Sequence, residues 1–377
     1  MRIALVSTGL GRVLRGFESF TESLFQGLHH YAPHIDLTLF KGGGKSGERQ
    51  VVVPNFHRYD VPARWFGYDR ANLLEQRSFA LSIYPLLRHG HFKIVHYNEL
   101  VMGSALFHLR RCFGGKFKLL YCNGAPSPPV HYHHRCDFAQ ILTRPAYEEA
   151  RKFGLPEDRL FLIPYGVDAH RFSPETQSLR SGIRRELGIP EGVKVVLTMG
   201  ALKREHKRID YLIKEISRMN GPIWLLAAGQ RTDETPSIEE EATNLLSGRW
   251  RFVSWPYGKV HLLYGAADVF VLASLTEGFG LVTIEAMLSG LPTIIHQNAV
   301  NRWIADGTSV RLINMVVDGE LSKVLQEVLH NGSEPSSHEK AKERFSWERL
   351  IPSYIEMYEK SLGKSSNKNR LLTISYY

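Results

Sequence analysis

The chain is poor in cysteine and has no long uninterrupted apolar run, and each shortage excludes something. Three cysteines occur in 377 residues, Cys112, Cys122 and Cys136, with no C-x-x-C pair. That odd, small number argues against a disulfide framework and for a reducing compartment. No apolar stretch approaches the roughly 20 residues needed to span a bilayer. The opening run, Met1-Arg-Ile-Ala-Leu-Val-Ser7, is too short for a signal peptide and reads as a first buried strand. No D-x-D pair is present. With 43% hydrophobic and 23% charged residues the composition excludes a disordered chain, and 377 residues suit two domains.

Charge is plentiful but uneven. The net charge is +9, and residues 1–165 hold 21 Lys/Arg against 13 Asp/Glu, or +8. Residues 166–377 hold 26 against 25, or +1, and 11 of the 17 histidines fall in the first part. The excess fits an anionic partner of that half: a membrane surface, a phosphate-bearing acceptor or nucleic acid. Scattered solubility charge is the plainer reading. Phe56-His-Arg-Tyr59 and Arg64-Trp-Phe66 interleave aromatic and basic residues in the manner of a single-strand binder, but no nucleic-acid motif accompanies them.

Short apolar runs alternate with helical patterns. Strands are predicted at 3–7, 37–40, 94–97, 118–121, 140–143 and 160–163, then at 194–199, 223–228, 251–253, 269–273 and 293–295. Helices between them include 18–29, 73–89, 145–153, 209–219, 260–266 and 283–289. This alternation predicts parallel sheets covered by helices on both faces. A stretch rich in proline and glycine at 164–190 divides two such sets, so two doubly wound domains are expected, facing across a cleft.

The most informative segment is Glu277-Gly-Phe-Gly-Leu-Val-Thr-Ile-Glu285, which follows an apolar strand and opens a helix. A glycine-rich turn at a helix start is an anion site, because the backbone can approach a phosphate and the free N–H groups favour its charge. The carboxylates on either side suit sugar hydroxyls, since each can accept from two. Phosphate between hydroxyl-rich groups describes a nucleotide sugar. Other patterns are weaker. Gly9-x-Gly11 lacks the third glycine of a dinucleotide fingerprint, which would fall at Leu14. Gly42-Gly-Gly-Lys45-Ser46 lacks the first glycine of a P-loop, at Leu39. His131, His133, His134 and Cys136 crowd together with no second ligand pair at finger spacing, and acceptor contact is the better functional reading of that loop. Asn331-Gly-Ser333 is a glycosylation sequon that carries no weight without a secretion signal.

Glu277 and Glu285 spaced as E-x7-E, Ile163-Pro-Tyr-Gly-Val-Asp168-Ala-His-Arg-Phe172, Phe345-Ser-Trp347-Glu-Arg-Leu and the early Gly9, Gly11, Gly16 and Glu18 together resemble the retaining glycosyltransferases of family 4 (group 1). The resemblance implies a GT-B fold of two Rossmann-like domains, with a C-terminal helix crossing back to the first. It divides the chain into an acceptor-side domain, 1–165, a donor-binding domain, 166–345, a crossover helix, 346–362, and a polar tail, 363–377. It implies that Glu277 meets the donor sugar, that Gly278, Phe279, Gly280, Leu281 and Val282 meet sugar and diphosphate through their backbone, and that Glu285 holds the ribose hydroxyls. Gly200 ends the strand before the family's basic pair; Lys207 falls on its lysine, while Ala201 occupies the arginine position, leaving Lys203 or Arg204 to supply that charge. Glu277 and Lys207 are the residues expected to act in catalysis. Gly9, Gly11, Gly16 and Asn123 form the expected acceptor or phosphate loop, with Asn123 where many members carry histidine. Tyr257 is a candidate neighbour of the base.

The expected activity is transfer of a sugar from a nucleoside diphosphate to an acceptor hydroxyl with retention of configuration, without cofactor or metal, in glycan, lipopolysaccharide or glycolipid synthesis. The acceptor is a glycan or lipid-linked molecule, the location cytoplasmic with peripheral contact at the inner membrane face, and nucleic acid ranks below these partners. The Ala201 and Asn123 departures keep open a non-catalytic nucleotide-sugar or glycan-binding module on the same scaffold, and a nucleotide-sugar epimerase is the third reading.

Overall fold

A computed structural model describes residues 1–13, 16–60, 67–124, 127–331 and 337–364. Arg64–Phe66, Gly332–Ser333 of the sequon and the tail from residue 365 lie outside the described residues. The chain forms two compact units, Met1–Gly166 joined by the segment from Trp347, and Val167–Ser346.

The first unit holds strands β1 (Arg2–Ser7), β2 (Asp36–Lys41), β3 (Gln50–Val52), β4 (Ile94–Tyr97), β5 (Lys118–Asn123), β6 (Phe138–Ile141) and β7 (Leu160–Leu162). Its helices are α1 (Gly16–Tyr31), α2 (Tyr68–His89), α3 (Leu100–Phe113) and α4 (Arg144–Lys152). The second unit holds β8 (Lys194–Met199), β9 (Ile223–Ala228), β10 (Trp250–Val253), β11 (Val269–Leu272), β12 (Thr293–His296) and β13 (Arg311–Ile313). Its helices are α5 (Arg180–Glu186), α6 (Ile209–Ser217), α7 (Thr235–Leu246), α8 (Val260–Ala266), α9 (Leu281–Leu288), α10 (Ala299–Ala305), α11 (Glu320–Asn331) and α12 (His338–Phe345). A last helix, α13 (Trp347–Ser361), returns to the first unit.

Both sheets are wholly parallel, in the orders β3-β2-β1-β4-β5-β6-β7 and β10-β9-β8-β11-β12-β13. The central strands β4, β9 and β11 are buried along their whole length, as continuous apolar runs covered on both faces must be. The order reverses between β1 and β4 and again between β8 and β11, the two positions where doubly wound sheets bind ligands at their carboxyl ends. The expected doubly wound architecture is therefore present in each unit. β3 and β13 were not anticipated; each is a three-residue edge strand that opens on a polar residue, whereas the equally short edge strand β7 is wholly apolar and was expected at 160–163. The turn-rich stretch 164–190 also carries a 3-10 segment, Pro174–Leu179, and α5.

α13 is fastened within the first unit by polar contacts at well-separated points. Trp347 Nε1 donates to Ser23 Oγ at 2.7 Å. Tyr354 OH donates to the Pro164 carbonyl at 3.0 Å and accepts from Gln140 Nε2 at 2.8 Å. Tyr358 OH lies 2.9 Å from His96 Nδ1, and burial pulls that histidine down to about 3, so it is neutral at physiological pH.

In the second unit one carboxylate ties the sheet together below the strand-order reversal. Asp268, the residue before β11, accepts from Arg184 Nη2 at 2.7 Å, Arg180 Nη1 at 3.1 Å and the Val195 N–H of β8 at 2.7 Å. Removing one partner of a largely buried charged network leaves the others unpaired. Asp268→Ala is expected to destabilise the protein by about 3 kcal/mol; chemical denaturation showing a loss below about 1 kcal/mol would refute this assignment.

Candidate functional site

β8 and β11 pair only through Val196–Leu197 and Val269–Phe270. The chains that leave their carboxyl ends, 200–208 and 273–280, carry the residues singled out in the sequence. At Gly200 a Cβ would stand 2.7 Å from the Lys207 side chain, so the lysine chain lies directly against this glycine. Its Nζ donates to Glu277 Oε1 at 2.6 Å, and the two side chains are only 16% and 9% exposed. His206 Nε2 stands 4.0 Å from the same oxygen. Burial, reinforced by the Lys207 charge, holds that imidazole below its usual value despite the carboxylate.

After Glu277 the chain turns through Gly278 and Phe279 to Gly280, whose φ of 78° lies in the left-handed region that glycine adopts without strain. Gly280 caps α9, and its carbonyl accepts from the Thr283 N–H at 2.9 Å. Leu281 and Val282 thus supply the first N–H groups of the helix, which have no intrahelical acceptor. The Phe279 side chain is buried, 6.1 Å from the Phe345 ring, so this residue offers the site its backbone alone. Ser274 Oγ and Thr283 Oγ1 are buried and make no hydrogen bond among the described residues.

Glu285 sits one turn further along α9 and is buried. Its Oε2 accepts from Tyr264 OH of α8 at 2.6 Å. Burial pushes the carboxyl up to about 7, opposed by that hydrogen bond and by the Arg171 charge. Arg171 belongs to a turn in which Asp168 Oδ1 accepts the N–H groups of His170 (3.0 Å) and Arg171 (3.1 Å). Its Nε donates to His261 Nδ1 at 3.3 Å, and burial together with the Arg171 charge lowers that histidine's pKa. Phe172 packs edge-on against Tyr264 at 5.6 Å.

The fold therefore brings Gly200, Lys207 and Glu277 together and sets Gly278–Val282 and Glu285 directly beyond them. Arg204 is engaged elsewhere: Nη1 donates to Glu241 Oε2 of α7 at 2.7 Å, and its N–H to Glu234 at 3.0 Å. Lys203 Nζ lies 3.7 Å from Glu205. No described contact joins either cation to Glu277, so His206 is the nearest second basic group. Tyr264, Arg171, His261 and His206 were missed as site residues. For Arg171 the signal was present, in the Ile163–Phe172 stretch; Tyr264 lay inside a recognised helix with nothing to mark its hydroxyl. The Tyr257 side chain lies outside what the structure describes.

In the first unit Gly9 and Gly11 make close backbone contacts, while Gly16 does not. Gly9 accepts from the Arg12 and Val13 N–H groups at 3.1 and 2.9 Å, closing a turn. A Cβ on Gly11 would meet the Gly43 carbonyl at 2.3 Å, which accounts for the glycine run that imitates a P-loop. Gly16 begins α1 with open space around it. Asn123 ends β5 and donates to the Ser127 carbonyl at 3.5 Å. At the reversal between β1 and β4, Glu99 Oε1 accepts from the Thr8 N–H at 2.8 Å and the Thr8 hydroxyl at 3.1 Å. Among the described residues no group of three or more His, Cys, Asp or Glu is placed to hold a metal ion, the histidine-rich loop included.

Residues 180–345 match the family described as glycosyl transferases group 1. A D-inositol 3-phosphate glycosyltransferase of Corynebacterium urealyticum is 28% identical over 219 residues, 53% of this chain and 51% of that protein. The chain thus aligns with about half the length of that relative. Among solved structures, sucrose-phosphate synthase from Thermosynechococcus elongatus aligns with a TM-score of 0.78 at 20% identity, over 97% of this chain and 100% of that one. Anabaena HepE in complex with UDP and glucose aligns at 0.73 and 16%, over 95% and 99%. At such identities the likeness is one of fold, and the fold is GT-B.

Glu285 gives a test of the geometry that needs no substrate. A carboxyl raised toward 7 destabilises the folded protein once it must ionise, so stability falls as pH rises from about 4.5 through 7. Glu285→Gln retains an acceptor for Tyr264 and removes the buried charge. It should stabilise the ligand-free protein at pH 8 by up to about 3 kcal/mol, with little effect at pH 5. Melting curves that shift equally at both pH values would contradict the buried, proton-hungry carboxyl.

Proposed function

With residues 180–345 belonging to the group 1 glycosyl transferases, we propose that the protein transfers a sugar from a nucleoside diphosphate to an acceptor hydroxyl. The observation that carries this reading is the Lys207–Glu277 pair, 2.6 Å apart at the carboxyl ends of β8 and β11, beside the Gly280-capped start of α9. A diphosphate would take the Leu281 and Val282 N–H groups and the Lys207 ammonium. The charge developing on the leaving phosphate would meet donors already in place. Glu277, released from Lys207 by that exchange, would accept from the donor-sugar hydroxyls. Glu285, aimed by Tyr264, would accept from the ribose hydroxyls.

Among the described residues of the second unit the carboxylate paired with Lys207 is Glu277, which the sugar hydroxyls would occupy. We therefore favour retention of configuration by a front-face route, in which the leaving phosphate takes the acceptor proton and catalysis rests on positioning and charge. Metal independence, a cytoplasmic location and a glycan or lipid-linked acceptor complete the proposal. The Ala201 position, without the basic residue expected there, favours one alternative, a nucleotide-sugar-binding module that does not turn over.

Thermal shift with uridine, guanosine and adenosine diphosphates and their sugars decides between them. One nucleotide series should raise the melting temperature of the wild type by mass action and fail to do so for Glu285→Ala. Lys207→Met should lower transfer by about a thousandfold, as loss of a preorganised donor to developing charge does. Stabilisation by a nucleotide sugar with no transfer to any glycan or lipid acceptor would favour the binding module. No stabilisation by any nucleotide would sink the donor site itself.

A further inference from the structure

α2 turns two unlike faces outward and inward. Its inner face, including Glu75, Phe79, Ile83 and Leu87, is buried in the first unit. Positions 70, 74, 77, 81 and 88 recur at helical spacing and so form one stripe on the outer side, about 27 Å long at 1.5 Å per residue. They are Arg70, Leu74, Arg77, Leu81 and Arg88, all exposed, with Leu74 and Leu81 exposed by 42% and 61%. Among the described residues none of the three arginines is in an ion pair. The helix's own carboxylates lie off the stripe: Asp69 follows a different face, and Glu75 is buried against Arg58 Nε at 2.5 Å. At the end of α3, Phe113, 59% exposed, stands 6.4 Å from the ring of Tyr84, a buried residue of α2. Exposed Arg111 and Lys116 flank it in sequence.

We propose that this outer face of α2 seats the first unit on an anionic phospholipid surface. On this face exposed leucines alternate with arginines that make no ion pair among the described residues. At a bilayer surface the two serve together: guanidinium groups meet lipid phosphates, and the leucines and Phe113 enter the boundary between headgroups and acyl chains. Charge complementarity favours an anionic surface, and the leucines favour lipid over nucleic acid, whose bases need aromatic partners that the outer stripe of α2 lacks. The inference is independent of the donor site, which lies in the other unit. It draws on three of the 21 Lys/Arg of residues 1–165.

Sedimentation of the full chain with vesicles tests it, using phosphatidylcholine alone and phosphatidylcholine mixed with phosphatidylglycerol. Binding should require the anionic lipid and weaken with salt. Each cation near such a surface contributes roughly fivefold to partitioning. The triple change Arg70→Glu, Arg77→Glu, Arg88→Glu should therefore lower it at least about a hundredfold. Leu74→Ser with Leu81→Ser should lower it several-fold while leaving its salt dependence intact. Charge reversal at exposed Lys118, Lys152 and Lys364 should change it little. Circular dichroism and melting establish that each variant folds; if the arginine triple does not, the leucine pair and single Arg77→Glu carry the test. No binding to anionic vesicles overturns the proposal. So does equal loss in the lysine control, which would reduce the effect to net charge. Capture of single-stranded oligonucleotide instead of vesicles, lost in the arginine triple, would make the face a nucleic-acid surface and equally overturn it.

Discussion

Everything at the candidate site depends on how little β8 and β11 touch. They pair through two residues each and are locked at their amino ends by Asp268, which takes the Val195 N–H together with Arg180 and Arg184. Past that lock the strand order reverses, and the crossover connections leave in opposite directions. The loop that departs from Met199 stays tied to the end of β9, its Gly200 and Leu202 N–H groups donating to the Ala228 and Gln230 carbonyls, so the site's loops leave fixed roots. That combination gives polar groups a rigid base and an open approach.

The groups set there are held under tension that a stable protein has no need of. Lys207 and Glu277 are largely buried and satisfy each other. Burial disfavours ionisation of Glu285, against the opposing hydrogen bond from Tyr264 and the field of Arg171. Ser274 and Thr283 hydroxyls are buried without a described partner. The Glu285 carboxyl and the two unpartnered hydroxyls work against folding, and all these groups suit a ligand that brings phosphate and hydroxyl groups, since fixed dipoles in a water-poor site act strongly without reorganising. The helix that carries Glu285 is short, and its glycine cap lets the backbone reach the ligand where a side chain would intervene.

The first unit repeats the topology without repeating the chemistry. Its reversal between β1 and β4 is occupied by Glu99, bonded to Thr8, and its glycine loops pack against one another. The acidic residue at that position and the close approach of Gly11 to Gly43 distinguish this reversal from the Gly280-capped turn of the second unit. A distinguishing feature of this unit is the outer face of α2, where three exposed arginines stand among exposed leucines.

The sequence by itself determined the strands of four or more buried residues, the parallel alternation, and the E-x7-E segment with its glycines. All are written locally: an apolar run, a breaker or a fixed spacing within a dozen residues specifies them. It was silent on the edge strands β3, Gln-Val-Val, and β13, Arg-Leu-Ile, too short and too polar at the start to stand out, whereas the equally short edge strand β7, Leu-Phe-Leu, was legible as an apolar run. Tertiary structure alone decided which charges meet. Lys207 reaches Glu277 across 70 positions, Tyr264 reaches Glu285 across 21, and Arg204, a neighbour of Lys207 in sequence, is drawn to Glu241 instead. A side chain's partner is set by the direction its backbone takes after the fold closes, and that direction depends on contacts far away along the chain. Spacing in sequence can nominate a carboxylate or an ammonium; only the packed sheet and its loops assign the partner.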